Sequence, residues 1–265
     1  MSAHASCCYG ISRTKLFARL TENENDFMKL LKLLYKRETI APMGALTFAS
    51  AASVTLVIAR MAWIGNFRYA FLVWNLILAW LPLIFALLAR ERYQSGVRQG
   101  WCFAGPAGAW LLFFPNAPYI FTDVIHLTYG PYRHFWVDLM LILISAFTGL
   151  VLGFVSLYLM QSVVARMYGR AASWFFVAAV AGLSSFGVYL ERFLRFNSWD
   201  VLVKPAKLYH GINLWAADPL ANANTFAFPV LFATFLFISY VLLYVLTHLP
   251  QPQPLATPLE RKAEA

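Results

Sequence analysis

Residues 135–164 read FWVDLMLILISAFTGLVLGFVSLYLMQSVV, a run in which Asp138 is the sole charged residue. A helix needs about 20 mainly apolar residues to cross about 30 Å of hydrocarbon, so this segment is more than long enough to span a bilayer. Five further segments qualify, over 41–64, 69–89, 97–119, 171–194 and 226–249, and no charge lies near the middle of any of them. The chain of 265 residues is 60% hydrophobic and 12% charged, too little polar surface to coat a soluble globule. These features predict an all-α, polytopic transmembrane helical bundle of about six spans. The spans occupy residues 41–249, between an N-terminal extension (1–40) and a Pro-rich, polar tail (250–265) expected to be disordered.

The formal charge of +9 is spread over termini and short connections, a distribution that gives no support to a nucleic-acid partner. It reads instead as topology information. With the N-terminus inside, the cytoplasmic side takes 14 basic residues: Arg13, Lys15, Arg19, Lys29, Lys32, Lys36, Arg37, Arg90, Arg92, Arg98, Arg166, Arg170, Arg261 and Lys262. The outside takes 7, namely Arg60, Arg68, Arg133, Arg192, Arg195, Lys204 and Lys207. The expected arrangement is therefore a multi-pass inner-membrane protein with both termini cytoplasmic. Residues 1–26 hold no apolar core of the kind a cleaved signal peptide requires. The stretch FMKLLKLLYKRE at 27–38 places Lys29, Lys32 and Lys36 on one helical face and Leu30, Leu33 and Leu34 on another, as an interfacial helix or a basic topological flank would. Cys7, Cys8 and Cys102 have neither disulfide nor metal-ligand patterning and are expected to be free thiols.

Unusual polar residues gather where spans end on the predicted outer side. The third span closes in FFPNAPYIFTDVIHL, residues 113–127. In a continuous helix Pro115 and Pro118 would free the carbonyls of Leu111 and Phe114 beside Asn116, and such backbone is tolerated at membrane depth only in a protein interior or a watery cavity. The alternative is an ordinary helix stop. Asp123 and His126 follow at a spacing that shares a helical face, suited to an acid/base pair or a hydrogen-bonded structural pair. With His134, Asp138, Glu191, Asp200 and His210 they form no recognisable metal spacing, so no metal and no cofactor are expected.

Asp138, one turn inside the fourth span, should have a partner, for which Arg192 and Arg195 at the end of the fifth span are the natural choices; the alternative is an N-terminal acid favoured by the helix dipole. Glu191 can pair with Arg195 at spacing four. The two arginines suit a phosphate or carboxylate clamp, or snorkelling to the interface. Asn75, near the outer end of the second span, requires a partner across the bundle. Small residues at spacing four in the first span (Ala41, Ala45, Ala49, Ser53) and the fourth (Ser145, Gly149, Gly153) predict close helix packing within the monomer rather than a dimer face, and the oligomeric state is left open.

Taken together and in order, WNLILAWLPL, FFPNAPYIFTDVIHL, FWVDLMLI, FTGLVLGFVSLYL and SSFGVYLERFLRFNSWD resemble a family of bacterial integral membrane proteins catalogued as a domain of unknown function. The resemblance runs from about Phe71 to Asp200 and implies a multi-span membrane protein without naming an activity. The positions that match its motifs are Asn75, Asn116, Tyr119, Asp123, Asp138, Arg192, Asn197, Ser198, Trp199 and Asp200. The family pattern has Gly where this chain has Glu191 and Trp where it has Phe196, so Glu191 is not carried over. The candidate ligand-binding set is these matching positions with His126 and Arg195. The expected role is binding or translocation of a small anionic or lipid-linked ligand at the extracytoplasmic face. A membrane-embedded enzyme acting on a lipid or envelope substrate, with Asp123, His126 and Asp138 as acid/base or metal-binding groups, and a membrane assembly or scaffold protein are the alternatives.

Overall fold

A computed structural model of the chain describes residues 40–96, 101–129, 134–195, 203, 206 and 223–248. The basic stretch at 27–38 and the tail at 250–265 lie outside the described residues. Within them, α1 spans Ile40–Ile64, α2 Ala70–Gln94, α3 Trp101–Phe113, α4 Asn116–Tyr119, α5 Phe135–Tyr168, α6 Arg170–Phe193 and α7 Ala223–Thr247, with a 3-10 run over Ile120–Tyr129. No strand occurs among the described residues.

Five helices are long and apolar enough to cross a membrane: α1, α2, α5, α6 and α7. The third expected span differs from the others. At 13 residues α3 rises about 20 Å, short of a bilayer core, and the chain turns at Phe114 and Pro115 before resuming in α4. Beyond the turn the segment continues through α4 and the 3-10 run, whose rise of about 2.0 Å per residue is steeper than that of an α-helix. Contacts with α5 follow the composite segment along its path: Trp110 Nε1 donates to Ser156 Oγ (3.1 Å), Phe114 and Ala117 meet Gly153, and Ala117 and Ile120 meet Gly149. As residue numbers rise on one element they fall on the other, so the segment runs antiparallel to α5 towards its N-terminal end.

The break does not leave the Phe114 carbonyl open, as expected for a continuous helix. Once the helix turns, the amide of Ala117 reaches that carbonyl at 3.1 Å, and the side-chain amide of Asn116 donates to the Phe113 carbonyl at 3.1 Å. Asn116 thus closes the C-terminus of α3.

At the centre of the bundle stands α5, with 61% of its apolar window buried, against 11% for α7. Its 34 residues rise about 50 Å, more than a bilayer core requires, and continue past 164 to Tyr168. The reversal into α6 uses Gly169 alone, at φ +91°, a conformation costly for any residue with a Cβ. The row Ser145, Gly149, Gly153 is spent inside the monomer: Ser145 Oγ and Ser53 Oγ lie 2.7 Å apart, and the two glycines receive the broken segment. On α1 the buried stripe is Met43, Leu46, Ser50, Ser53, Val57 and Arg60. Side-chain hydrogen bonds tie the remaining elements: Trp80 to Ser50, Ser185 to the Pro229 carbonyl, and Tyr240 to Gln161.

A Cβ at Gly149 would stand 2.7 Å from Ile120 Cδ1 and 2.9 Å from the Ala117 carbonyl oxygen, whereas one at Gly182 meets nothing within 4 Å. Overpacking typically costs about 1–3 kcal/mol. Gly149→Val should lower the melting temperature of the purified protein by several degrees and Gly182→Val should leave it near the wild type, as thermal denaturation in detergent will show.

Candidate functional site

The site assembles at the end of the bundle where α1 stops, α2 starts, the 3-10 run passes, α5 starts and α6 stops. Asp123 lies at its base, 1% exposed. The side-chain amide of Asn75, from the second turn of α2, donates to its Oδ2 at 2.8 Å, and Nη2 of Arg192, from the last turn of α6, donates to its Oδ1 at 2.5 Å. Arg192 also donates to Thr122 Oγ1 (2.9 Å from Nε, 2.7 Å from Nη2), while Thr122 donates to the Tyr119 carbonyl at 2.7 Å. The guanidinium carbon stands 4.6 Å from the centre of the Tyr119 ring, a cation–π arrangement. Burial pushes the Asp123 carboxyl up, and Arg192 and Asn75 pull it back. A buried carboxylate with this many donors is compensated.

Beside it, His126 presents Nε2 at 3.8 Å from Asp123 Oδ1, its ring 4.6 Å from that of Phe71. Burial lowers the His126 pKa more than Asp123 raises it, and Arg192 and Arg68 act in the same direction as burial.

These groups border an open cavity of about 940 Å³ whose wall also includes Trp74, Glu191 and Arg195. Here the expected Glu191–Arg195 pair is overturned. That pairing requires a helix through both residues, but α6 ends at Phe193 and Arg195 sits at φ +56°. Glu191 Oε2 is buried with no hydrogen-bond partner among the described residues. Arg195 is exposed, makes no ion pair among the described residues, and remains in the cavity wall.

Asp138 is also corrected. Its partner is Arg60 on α1, Nε to Oδ1 at 2.8 Å, with the two side chains 7% and 5% exposed respectively. Tyr69 hydrogen-bonds the same carboxylate. The inference from topology had the right end of the bundle and the wrong helix: α1 packs against α5 at this point, and Arg192 is already committed to Asp123. The dipole of α5, worth about 0.3–1 kcal/mol, adds to this pair but is the smaller effect. Arg60 was legible as a continuation of the stripe Met43, Leu46, Ser50, Ser53, Val57 at spacings of three and four.

Of the twelve sequence candidates, Asn75, Tyr119, Asp123, His126, Arg192 and Arg195 line the cavity. Asn116 is buried at the α3 break, Asp138 belongs to the Arg60 pair, and Asn197, Ser198, Trp199 and Asp200 lie outside the described residues. Among the described residues no group of three His, Cys, Asp or Glu side chains is placed to hold a metal. The Gly182–Ser185 stretch holds a serine hydroxyl on Ser185 donated to the Pro229 carbonyl and a buried one on Ser184, with His248 near the opposite end of the bundle.

Removing one member of a buried charge pair typically costs about 3–5 kcal/mol. Arg192→Ala and Asp123→Ala should each destabilise the protein strongly, and the double variant should lose clearly less than the sum. A double-mutant cycle on unfolding free energy will measure that coupling, and additive losses would show that the pair is not coupled.

Residues 74–240 match the family described as Protein of unknown function (DUF1361), a stretch covering more than half the chain. No curated protein and no solved structure matches the chain.

Proposed function

The chain belongs to the DUF1361 family, and for this member we propose a binding or translocation role in which the cavity at the polar end of the bundle holds a small anionic or lipid-linked ligand. The observation that carries the reading is an imbalance inside one cavity. Asp123, Arg192 and Asn75 satisfy one another, while the Arg195 guanidinium has no ion-pair partner among the described residues and Glu191 Oε2 is buried without a donor. Glu191 lines the same cavity, and its carboxyl can accept from a ligand hydroxyl or amine. A guanidinium suits a phosphate or carboxylate. The ligand chemistry is therefore an anionic group joined to a hydrogen-bond donor.

The polar end faces the extracytoplasmic side of a bacterial inner membrane in this reading, on the 14 to 7 division of Lys and Arg. Two of the seven on that side, Arg60 and Arg192, are held in ion pairs, which sharpens the contrast. The aromatic and polar lining comes from α2, α4, the 3-10 run and α6, so a ligand seated there touches several elements at once.

A membrane-embedded enzyme draws support from His126 beside Asp123 in the cavity wall. Asp138 has no part in that version, because it is paired with Arg60 away from the cavity. A His126→Gln protein that bound its ligand but no longer converted it would favour the enzyme.

Arg195 is exposed, and surface substitutions usually change stability by less than about 0.5 kcal/mol. Arg195→Gln should keep the wild-type melting temperature and lose at least tenfold in affinity for glycerophosphoglycerol, a soluble anionic diol, by ligand-dependent thermal stabilisation. Undiminished affinity would remove Arg195 from the site.

A further inference from the structure

A second, smaller hollow of about 430 Å³ adjoins the polar cavity, walled by Phe121 of the 3-10 run, Phe193 of α6, and Phe228, Phe232 and Phe235 of α7. It shares Ile125 and Arg192 with the cavity, so the two are neighbours across one thin partition. Their linings are opposite in character. One holds Glu191, Asp123, His126 and two arginines; the other is lined by five phenylalanines with Thr122, Ile125 and the shared Arg192, and its ring centres are 5.2 Å apart for Phe193 and Phe228, 5.5 Å for Phe228 and Phe232, and 5.4 Å for Phe121 and Phe235.

Resting on the binding role above, we propose that the ligand is a membrane phospholipid, its phosphate and hydroxyl- or amine-bearing headgroup in the polar cavity and one acyl chain in the phenylalanine hollow. Three observations carry this. The hollow lies on the flank of α7, the helix least covered by protein, with 11% of its apolar window buried, so a lipid chain reaches it from the bilayer. Its adjacency to the cavity across the shared Ile125 and Arg192 sets a headgroup and a chain side by side, as they are joined in a phospholipid. The cavity wall, where Arg195 has no ion-pair partner among the described residues and Glu191 adds a carboxyl, fits a phosphodiester carrying a donor and has nothing to offer a bare hydrocarbon. A soluble anion would fill the polar half alone.

The test uses the full chain in nonionic detergent, with thermal stabilisation and native mass spectrometry as readouts. The probes are dioleoyl phosphatidylglycerol, its soluble headgroup compound glycerophosphoglycerol, and dioleoyl phosphatidylcholine. Phosphatidylglycerol should act at concentrations at least thirtyfold below glycerophosphoglycerol. The Phe193→Gln/Phe235→Gln protein should lose most of that advantage and keep its response to the soluble compound. Should the double variant fail to fold, a series of phosphatidylglycerols with six-, eight- and eighteen-carbon chains on the wild type gives the same information, affinity rising with chain length if the hollow is occupied. Equal action of phosphatidylglycerol and glycerophosphoglycerol would overturn the chain site and leave the cavity reading standing. Equal action of the two lipids, insensitive to Arg195→Gln, would mean annular lipid only and overturn the proposal. No response to either phosphatidylglycerol or glycerophosphoglycerol would overturn the binding role itself, and this proposal with it.

Discussion

A carboxylate carried out of water must meet positive charge and hydrogen-bond donors, and in Asp123 this requirement joins three separate parts of the chain. Asn75 supplies an amide from the start of α2, Arg192 a guanidinium from the end of α6, and Asp123 itself hangs from a 3-10 run that would not be there if the third span were a plain helix. Each donor is satisfied by the same carboxylate, so displacing any of the three elements leaves a buried polar group without its partner. The second pair, Arg60 with Asp138, does the same for α1 and α5. Two charge pairs at one end of the bundle thus hold the ends of α1, α2, α5 and α6 in fixed relation, and the cavity is the space left between them and the 3-10 run.

That end could not be built without the break at Phe114 and Pro115. A straight α-helix over the third span would need the ring of Pro115 to replace an amide donor inside a regular ladder. The chain turns instead, and the turn is repaid locally: Asn116 and the Ala117 amide serve the two carbonyls the turn would expose. Two glycines of α5, Gly149 and Gly153, then let the steeper segment lie close, and Gly187 of α6 receives Pro115, where a Cβ would stand 2.8 Å from the proline ring. Close backbone approach at small residues is the usual means of packing helices in lipid, where there is no hydrophobic drive between them. The small-residue row on α5 is therefore used within the monomer.

The termination of α6 is what separates the cavity's chemistry from its scaffolding. Had the helix continued, Glu191 and Arg195 would stand one turn apart and neutralise each other. Because it stops at Phe193, the carboxylate is left against the protein and the guanidinium in the cavity mouth, two complementary charges that do not meet. The proposed ligand site depends on that separation, while Arg192, one helical position away from Glu191, is structural because it is consumed by Asp123.

From the residues alone, long apolar runs required a helical bundle in lipid, because nothing else satisfies the backbone there, and the grouping of Asn75, Asp123 and Arg192 at one end followed from the alternation of span directions. The same reasoning made Asp138 a buried acid in need of a base. Which base was beyond it: span counting says which ends share a side, but the angular position of each helix around α5 comes from the packing of whole faces, and it placed Arg60 beside Asp138. The fate of Glu191 was equally hidden, since spacing on a helix has meaning only where the helix exists, and α6 ends before Arg195. The hollow beside α7 gave no sequence signal, because five phenylalanines drawn from three elements look like ordinary lipid-facing residues until tertiary packing sets them next to a polar cavity.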